Sequence, residues 1–261
     1  MDTRLYIKEV IFCVLLTVTF NNITAQVHDY VMDKPERKKA KNRVFSQIAN
    51  PDFTNYFLTA SAFTLRSRDI RLSNTDILFT KGSYGLTNNT TASLNVSFLG
   101  TTAGAIKHKI DLTDDLKLGI SASLGSLATI SEDSLIYFGG GQTMLTSGDH
   151  QNNITFGIGY YYVISTFELL RNDDQLPFYN LYIGLQKQIG KRTYFMGEVI
   201  YFPEYNVITG SAGIKVIIKN NMSICGGLMP ISNEYQYVGN RKIRQSTVIP
   251  LLSFRMLLDR H

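Results

Sequence analysis

Four histidines, His28, His108, His150 and His261, are the residues with which this chain could carry out acid–base or metal chemistry. No His-x-x-x-His or Cys-x-x-Cys spacing and no dense acidic loop accompanies them, so the sequence predicts no metal site and no cofactor. A Ser–His–acid triad needs a histidine inside the folded domain, which leaves His108 and His150. An outer-membrane enzyme that acts on lipid is therefore one alternative. The main prediction is that the protein is not an enzyme and has no catalytic residues.

Charged and amide side chains within strand-like stretches are the stronger candidates for function. They are Lys117, Gln186, Glu198, Lys215 and Arg255. A charge facing lipid would cost about 2–4 kcal/mol at the middle of a bilayer, so we predict that these side chains line the lumen of a barrel. Two interpretations stay open. Either Glu198 pairs with Lys215 or a neighbour and fills the interior, or the polar groups form a ring that selects small polar solutes.

These side chains are positioned by a two-residue period that runs along the chain from Phe53 onward. In "NNITFGIGYYY" (152–162) apolar residues occupy every second position, and "LKLGISASLG" and "VITGSAGIKVII" repeat the pattern. Successive side chains of a strand point to opposite faces, so the period predicts a sheet with one apolar and one polar face.

Turn signals divide the chain into about twelve strands, or ten if one weak pair is not part of the wall. Very short turns, such as Thr87-Asn88-Asn89 and Asn220-Asn221, alternate with connections that are often longer, such as 126–134, 164–177 and 230–244. This rhythm predicts an all-β fold, an antiparallel up-and-down transmembrane barrel with short periplasmic turns and longer outer loops. The predicted strands are 55–65, 71–84, 90–99, 103–112, 116–125, 135–147, 152–163, 177–189, 193–202, 206–218, 222–230 and 245–256.

Two features favour a membrane barrel over a soluble sandwich. The polar face is small and mostly uncharged, whereas a water-facing sheet usually carries more charge. Tyrosines lie near predicted strand ends, as in the aromatic girdles of membrane proteins. The remaining alternative is a soluble secreted β-barrel that binds an apolar ligand, with its apolar faces turned inward. The girdle candidates are Tyr160, Tyr161, Tyr162, Tyr179, Tyr182, Tyr194, Tyr201 and Tyr205.

The N-terminal region predicts export. Arg4 and Lys8 precede an apolar run, Val10–Phe20, that is shorter than the roughly 20 residues of a spanning helix, and Ala25 stands at a cleavage position. The net charge is +5, of which residues 33–43 contribute +4. We therefore predict no basic face for nucleic acid. The predicted organisation is a signal peptide (1–25), a basic periplasmic segment (26–52), a β-barrel (53–256) and a C-terminal tail (257–261).

The stretch "YGLTNNTTASLNVSFLG" (84–100) contains three Asn-x-Ser/Thr triplets, which the strand pattern explains without glycosylation. Residues 87–89 suit a tight turn because asparagine tolerates positive φ. Asn95 and Ser97 then face the lumen, and their neighbour Val96 faces lipid. If the short turns are periplasmic, Asn88 lies on the periplasmic rim.

From Asn50 to Asn89 the chain resembles uncharacterised outer-membrane β-barrel proteins of Bacteroidota-type bacteria. The similar elements are Asn50-Pro51, "YFLTASAFTL" (56–65), a polar break, "NTDILFTKGSYGLTNN" (74–89) and a Gly/Ser-rich strand after it. The resemblance implies the barrel fold and a location in the outer membrane, and no activity.

Together these observations predict an exported protein of the cell outer membrane. Its expected function is structural, or a porin-like passage of small polar solutes through or along the lumen. The expected partners are outer-membrane lipid, the barrel-assembly machinery and small polar solutes, with no nucleic acid.

Overall fold

A computed structural model describes residues 56–76, 79–98, 100–128, 135–165, 176–238 and 241–258. The predicted signal peptide, and the predicted basic segment 26–52 with its charge cluster, lie outside these ranges and stay predictions. No helix within the described ranges is long and apolar enough to cross a bilayer.

Twelve antiparallel strands form one closed barrel in which every strand pairs with its neighbours in sequence. Strand β1 closes the barrel against β12, with Ile70 opposite Leu258 and Thr75 opposite Ser253. The predicted all-β, up-and-down barrel is confirmed. The strands are β1 Ile70–Thr75, β2 Phe79–Thr87, β3 Thr90–Ser97, β4 Thr101–Asp111, β5 Leu116–Ala128, β6 Leu135–Gly148, β7 Asn152–Ser165, β8 Leu176–Gln188, β9 Thr193–Phe202, β10 Val207–Lys219, β11 Met222–Val238 and β12 Arg241–Leu258.

The two ends of the barrel differ in their connections. At the short-turn rim, residues 88–89, 112–115, 149–151, 189–192 and 220–221 join successive strands, and β1 begins and β12 ends there too. At the loop rim, a short 3-10 helix, Pro203–Tyr205, and Asn206 join β9 to β10. An even number of strands returns both ends of the wall to the same rim.

The outer face of the barrel is apolar and its inner face is largely polar. In β3, Leu94 and Val96 are 55% and 48% exposed, whereas Asn95 and Ser97 are 4% and 5% exposed. Because exposed aliphatic side chains recur on the outside of nearly every strand, this surface suits lipid and not water. The soluble alternative placed the apolar faces inward, and the structure contradicts it. Closed barrels with such a surface span outer membranes, and this protein is an outer-membrane β-barrel.

The predicted tyrosine girdle is correct in part. Tyr160 and Tyr179 lie on the outer face with ring centroids 4.9 Å apart. Tyr161, Tyr182 and Tyr194 are at most 3% exposed inside the barrel, so their assignment to the girdle is wrong. Neighbouring residues of one strand cannot share a face, and Tyr161 therefore points away from the side that Tyr160 occupies.

Residues 55–65 were predicted to be a wall strand, and this is wrong. From Tyr56 onward they lie inside the barrel, and β1 starts only at Ile70. The count of twelve survives because the predicted strand 71–84 is two strands. Asp76 separates them with a φ of 52°, and its main-chain N–H donates to Leu252 O at 2.7 Å. Aspartate tolerates this left-handed conformation better than most residues.

The predicted loop 230–244 is also wrong, because β11 and β12 extend through most of it. Pro230 pairs with Val248 in register, while pairing between β10 and β11 ends at Leu228. The carbonyl of Pro230 points toward β10, where it accepts a hydrogen bond from Thr209 Oγ1. The N–H that proline lacks would also point toward β10, where β11 no longer pairs at this position, so proline breaks no ladder hydrogen bond. Strands tolerate proline at such unpaired edges.

A lysine on the outer face should test the membrane assignment. Ile158, in the middle of β7, is 50% exposed, and Ile189, in a turn at the short-turn rim, is 54% exposed. We expect Ile158→Lys to destabilise the folded barrel by about 2–4 kcal/mol and Ile189→Lys by about 0–1 kcal/mol, because the cost depends on depth. Denaturant titration in lipid vesicles measures both. Equal effects of the two substitutions would contradict a bilayer around β7.

Candidate functional site

The interior of the barrel is occupied by a stretch of its own chain, Tyr56–Leu65, here called the luminal segment. None of its ten residues is more than 4% exposed. It enters near the short-turn rim, where Tyr56 O accepts from Arg255 Nη2 at 2.9 Å. It leaves at the same rim, where the Leu65 N–H donates to Thr91 Oγ1 at 2.9 Å. The segment therefore turns back inside the lumen and does not cross it.

Glu198 in the middle of β9 holds the innermost part of the luminal segment. Its carboxylate accepts the main-chain N–H groups of Leu58 at 2.5 Å and Thr59 at 2.6 Å. The Thr59 hydroxyl donates to the same carboxylate at 2.7 Å, and Ser211 Oγ on β10 donates at 2.5 Å. Hydrogen bonds to a charged acceptor are stronger than neutral ones, so Glu198 is the principal polar contact of this turn.

Wall donors bind carbonyls of the luminal segment. Lys107 Nζ donates to Ser61 O at 2.9 Å and also to Phe63 O, and the Tyr182 hydroxyl donates to Ala60 O at 2.9 Å. These contacts, like those of Glu198 with the two N–H groups, are made to main-chain atoms. They satisfy main-chain groups of a buried segment that is not one of the twelve paired strands.

Glycines on the inner wall make room for the large side chains of the segment. A Cβ on Gly184 would lie 2.3 Å from Tyr56 Cε2. Cβ atoms on Gly213 and Gly227 would lie 2.7 and 2.6 Å from Phe57 Cζ. The Tyr56 hydroxyl then reaches Asn153 Oδ1 at 2.7 Å. The inner wall therefore has spaces that fit the Tyr56 and Phe57 side chains.

A layer of buried apolar side chains lies inside the barrel between the luminal segment and the loop rim. Rings of Tyr161 and Phe178 stack with centroids 5.3 Å apart, and Phe202 lies 6.4 Å from Phe178. Phe57 and Leu58 belong to the same buried cluster, so the segment and the layer pack as one unit. The other members of the layer are Ile136, Phe138, Ile200, Met229 and Leu251.

The five predicted lumen residues lie on the inner side of the wall. Gln186 and Lys215 are fully buried, and Glu198 and Arg255 are at most 5% exposed. Lys117 lies at the short-turn rim, 3.1 Å from Asp111 Oδ1. Of the two open interpretations, the first had Glu198 paired with Lys215 or a neighbour; its carboxylate accepts from the luminal segment and from Ser211 on the neighbouring strand β10. Lys215 Nζ donates instead to Gln186 Oε1 at 2.6 Å.

Four buried basic residues of the inner face were missed by sequence reasoning. They are Arg71, Lys81, Lys107 and Lys109, all at most 5% exposed. The signal was present, since each alternates with outward-facing residues of its strand. Lys107, for example, lies between Ile106 and His108, which share the outer face.

The two histidines of the folded domain lie apart. His108 faces outward, with Nδ1 2.9 Å from Thr90 Oγ1. His150 lies in a short turn and packs edge-on against Phe63, with ring centroids 5.1 Å apart. These contacts give the lipid-acting enzyme no support. Among the described residues, no cluster of His, Cys, Asp or Glu could hold a metal ion.

No protein-family model matches the chain, and no curated protein matches it in sequence. Among solved structures it is similar to the KdgM porin in complex with disordered oligogalacturonate, at 11% identity and a TM-score of 0.44, covering 74% of this chain and 98% of that one. It is similar to the NanC porin at 12% identity and a TM-score of 0.42, covering 72% of this chain and 97% of that one. It is similar to CdiB from Acinetobacter baumannii at 9% identity and a TM-score of 0.36, covering 74% of this chain and 60% of that one. Similarities of this size carry no information on what this chain binds or transports.

Proposed function

We propose that this protein is a porin-like barrel whose lumen is closed by the luminal segment, and that small polar solutes pass when the segment leaves. The observation that carries the proposal is how the segment is held. A polar inner wall binds the main chain of Leu58–Phe63 through Glu198, Lys107 and Tyr182. Water can replace such hydrogen bonds one for one, so the wall remains satisfied when the segment is gone.

In this proposal the short-turn rim faces the periplasm, as is usual for outer-membrane barrels. Both ends of the luminal segment lie at this rim, so the segment can withdraw without threading through the wall. Its departure also removes Phe57 and Leu58 from the apolar layer. The layer then loses packing partners, and its remaining rings can move toward the wall and admit water.

The other elements of the proposal concern origin and partners. The signal peptide exports the chain, the barrel-assembly machinery inserts it, and outer-membrane lipid surrounds it. The protein is not an enzyme in this proposal, and it belongs with the Bacteroidota-type barrels that its residues 50–89 resemble.

Glu198→Gln tests whether the segment closes a channel. In the variant, the glutamine side chain turns an NH2 group toward N–H and O–H donors that now donate to the carboxylate, so at least one of these hydrogen bonds is lost. A hydrogen bond to a charged group contributes about 1.5–3 kcal/mol. We therefore expect the open fraction in planar-bilayer recordings to rise by about ten- to a hundredfold over wild type. Ser211→Ala is the matched control, because it removes a donor to the same carboxylate and leaves the three from the segment.

The bilayer recordings are interpreted only for protein that migrates on gels as a folded, heat-modifiable band. A folded Glu198→Gln barrel that stays as closed as wild type would overturn the proposal. That result would favour a purely structural barrel, for which the apolar layer is the supporting observation.

A further inference from the structure

The Lys, Arg, Asp and Glu side chains that are buried in the described part of the barrel are mostly basic. Among the described residues that are buried, six are basic and two are acidic. The basic residues are Arg71, Lys81, Lys107, Lys109, Lys215 and Arg255, and the acidic ones are Asp69 and Glu198.

Five of the basic residues lie on one side of the lumen. Strands β12, β1 and β2 are adjacent in the wall, and β4 follows after β3. Register places Arg255 and Lys81 on either side of Ser73, in one row across the inner face. Lys109 lies nearest the short-turn rim, where its Nζ is 3.4 Å from Asp111 Oδ2. We call this set of five, Arg71, Lys81, Lys107, Lys109 and Arg255, the cationic arc.

The luminal segment does not match the charge of the arc. Residues 56–65 contain no ionisable side chain other than the Tyr56 hydroxyl. What the segment offers to Lys107 and Arg255 is main-chain carbonyl oxygen. A carbonyl dipole compensates a buried cation less well than a carboxylate does. The luminal segment itself therefore brings no negative charge to the arc.

In an open lumen the same charges have a different effect. A water-filled channel with low-dielectric walls concentrates ions of the opposite sign. Withdrawal of the segment also releases Lys107 and Arg255 from its carbonyls, so they too face the solution. Glu198 is released with them, but it is the only acidic residue among the buried, described residues of the twelve strands.

We infer that the open lumen passes small anions in preference to cations, with the cationic arc lining their path. This rests on the proposed function and adds the class of solute to it. The arc runs from Lys109 and Arg71 near the short-turn rim to Lys81 deeper in the barrel, so an anion meets successive cations along the wall.

The test uses the full chain with residues 56–65 replaced by ten Gly and Ser residues, which leaves the lysines, arginines and acids of the lumen unchanged. Bilayer recordings in a KCl gradient give the reversal potential. We expect it to lie toward the chloride equilibrium potential. In the same background, Lys81→Glu with Lys109→Glu should shift it toward the potassium equilibrium potential. Lys191→Glu, in an exposed turn, changes the charge outside the lumen and should not shift it.

The outcomes separate the two proposals. Folded replacement protein that never conducts overturns the proposed function. Protein that conducts with no preference, or with a preference for potassium, overturns the anion inference and leaves the channel intact. If the double glutamate variant does not form a heat-modifiable band, Lys81→Gln with Lys109→Gln takes its place, and an unchanged reversal potential then overturns the inference.

Discussion

Replacing Tyr56–Leu65 with ten Gly and Ser residues should convert a barrel that is mostly closed into one that is mostly open. Burying one large apolar side chain contributes about 1.5–3 kcal/mol, and the segment buries five, so the closed state loses stabilisation on the order of 10 kcal/mol. Steady conductance in planar bilayers, absent or brief in wild type, is the measurement. The five side chains are Tyr56, Phe57, Leu58, Phe63 and Leu65.

The matched control places the same ten Gly and Ser residues at positions 40–49, upstream of the luminal segment. It introduces the same ten residues, leaves the length of the chain unchanged as the first replacement does, and keeps every contact between the segment and Glu198. Conductance that rises equally in both variants would show that the segment is not the closing element. Heat-modifiable migration of both proteins establishes that the wall has formed.

The wall of the barrel could be predicted because lipid on one side and polar groups on the other impose a two-residue period. Leu94, Asn95 and Val96 carry that period in their residue types, and the structure places each on the predicted face. Strand ends were less predictable. Asp76 interrupts a run that otherwise reads as one strand, and the effect of Pro230 depends on where the neighbouring strand stops pairing.

The sequence of the luminal segment differs visibly from that of the wall strands, although it does not reveal that the segment lies inside the barrel. Tyr56, Phe57 and Leu58 are consecutive apolar residues, and 59–62 are all small, so no lipid-facing side alternates with a polar one. A segment that is buried on all sides needs no alternation of apolar and polar residues, because no side of it faces lipid. The contacts of Glu198 left no trace in the sequence, because main-chain N–H groups belong to every residue except proline.

A disulfide between the segment and the wall should abolish opening reversibly. A Cβ on Gly119 would lie 3.2 Å from Ala62 Cβ, slightly below the range of about 3.5–4.5 Å for disulfide-bonded cysteines. It would also lie 2.9 Å from Ala62 Cα and 2.7 Å from Met144 Cγ, so the backbone of the segment must shift slightly and the Met144 side chain must rotate. We expect oxidised Ala62→Cys/Gly119→Cys protein to show none of the openings of wild type, and reduction with dithiothreitol to restore them.

The single variants Ala62→Cys and Gly119→Cys separate the bond from the substitutions, since neither can form it. Both should open like the reduced double variant under either redox condition. The native Cys225 is present in all of these proteins and is buried, so it does not distinguish them. Oxidised double-cysteine protein with a confirmed disulfide that still conducts would mean that solutes pass the segment in place. Closure would then belong to the apolar layer formed by Phe138, Tyr161 and Phe178 and their neighbours.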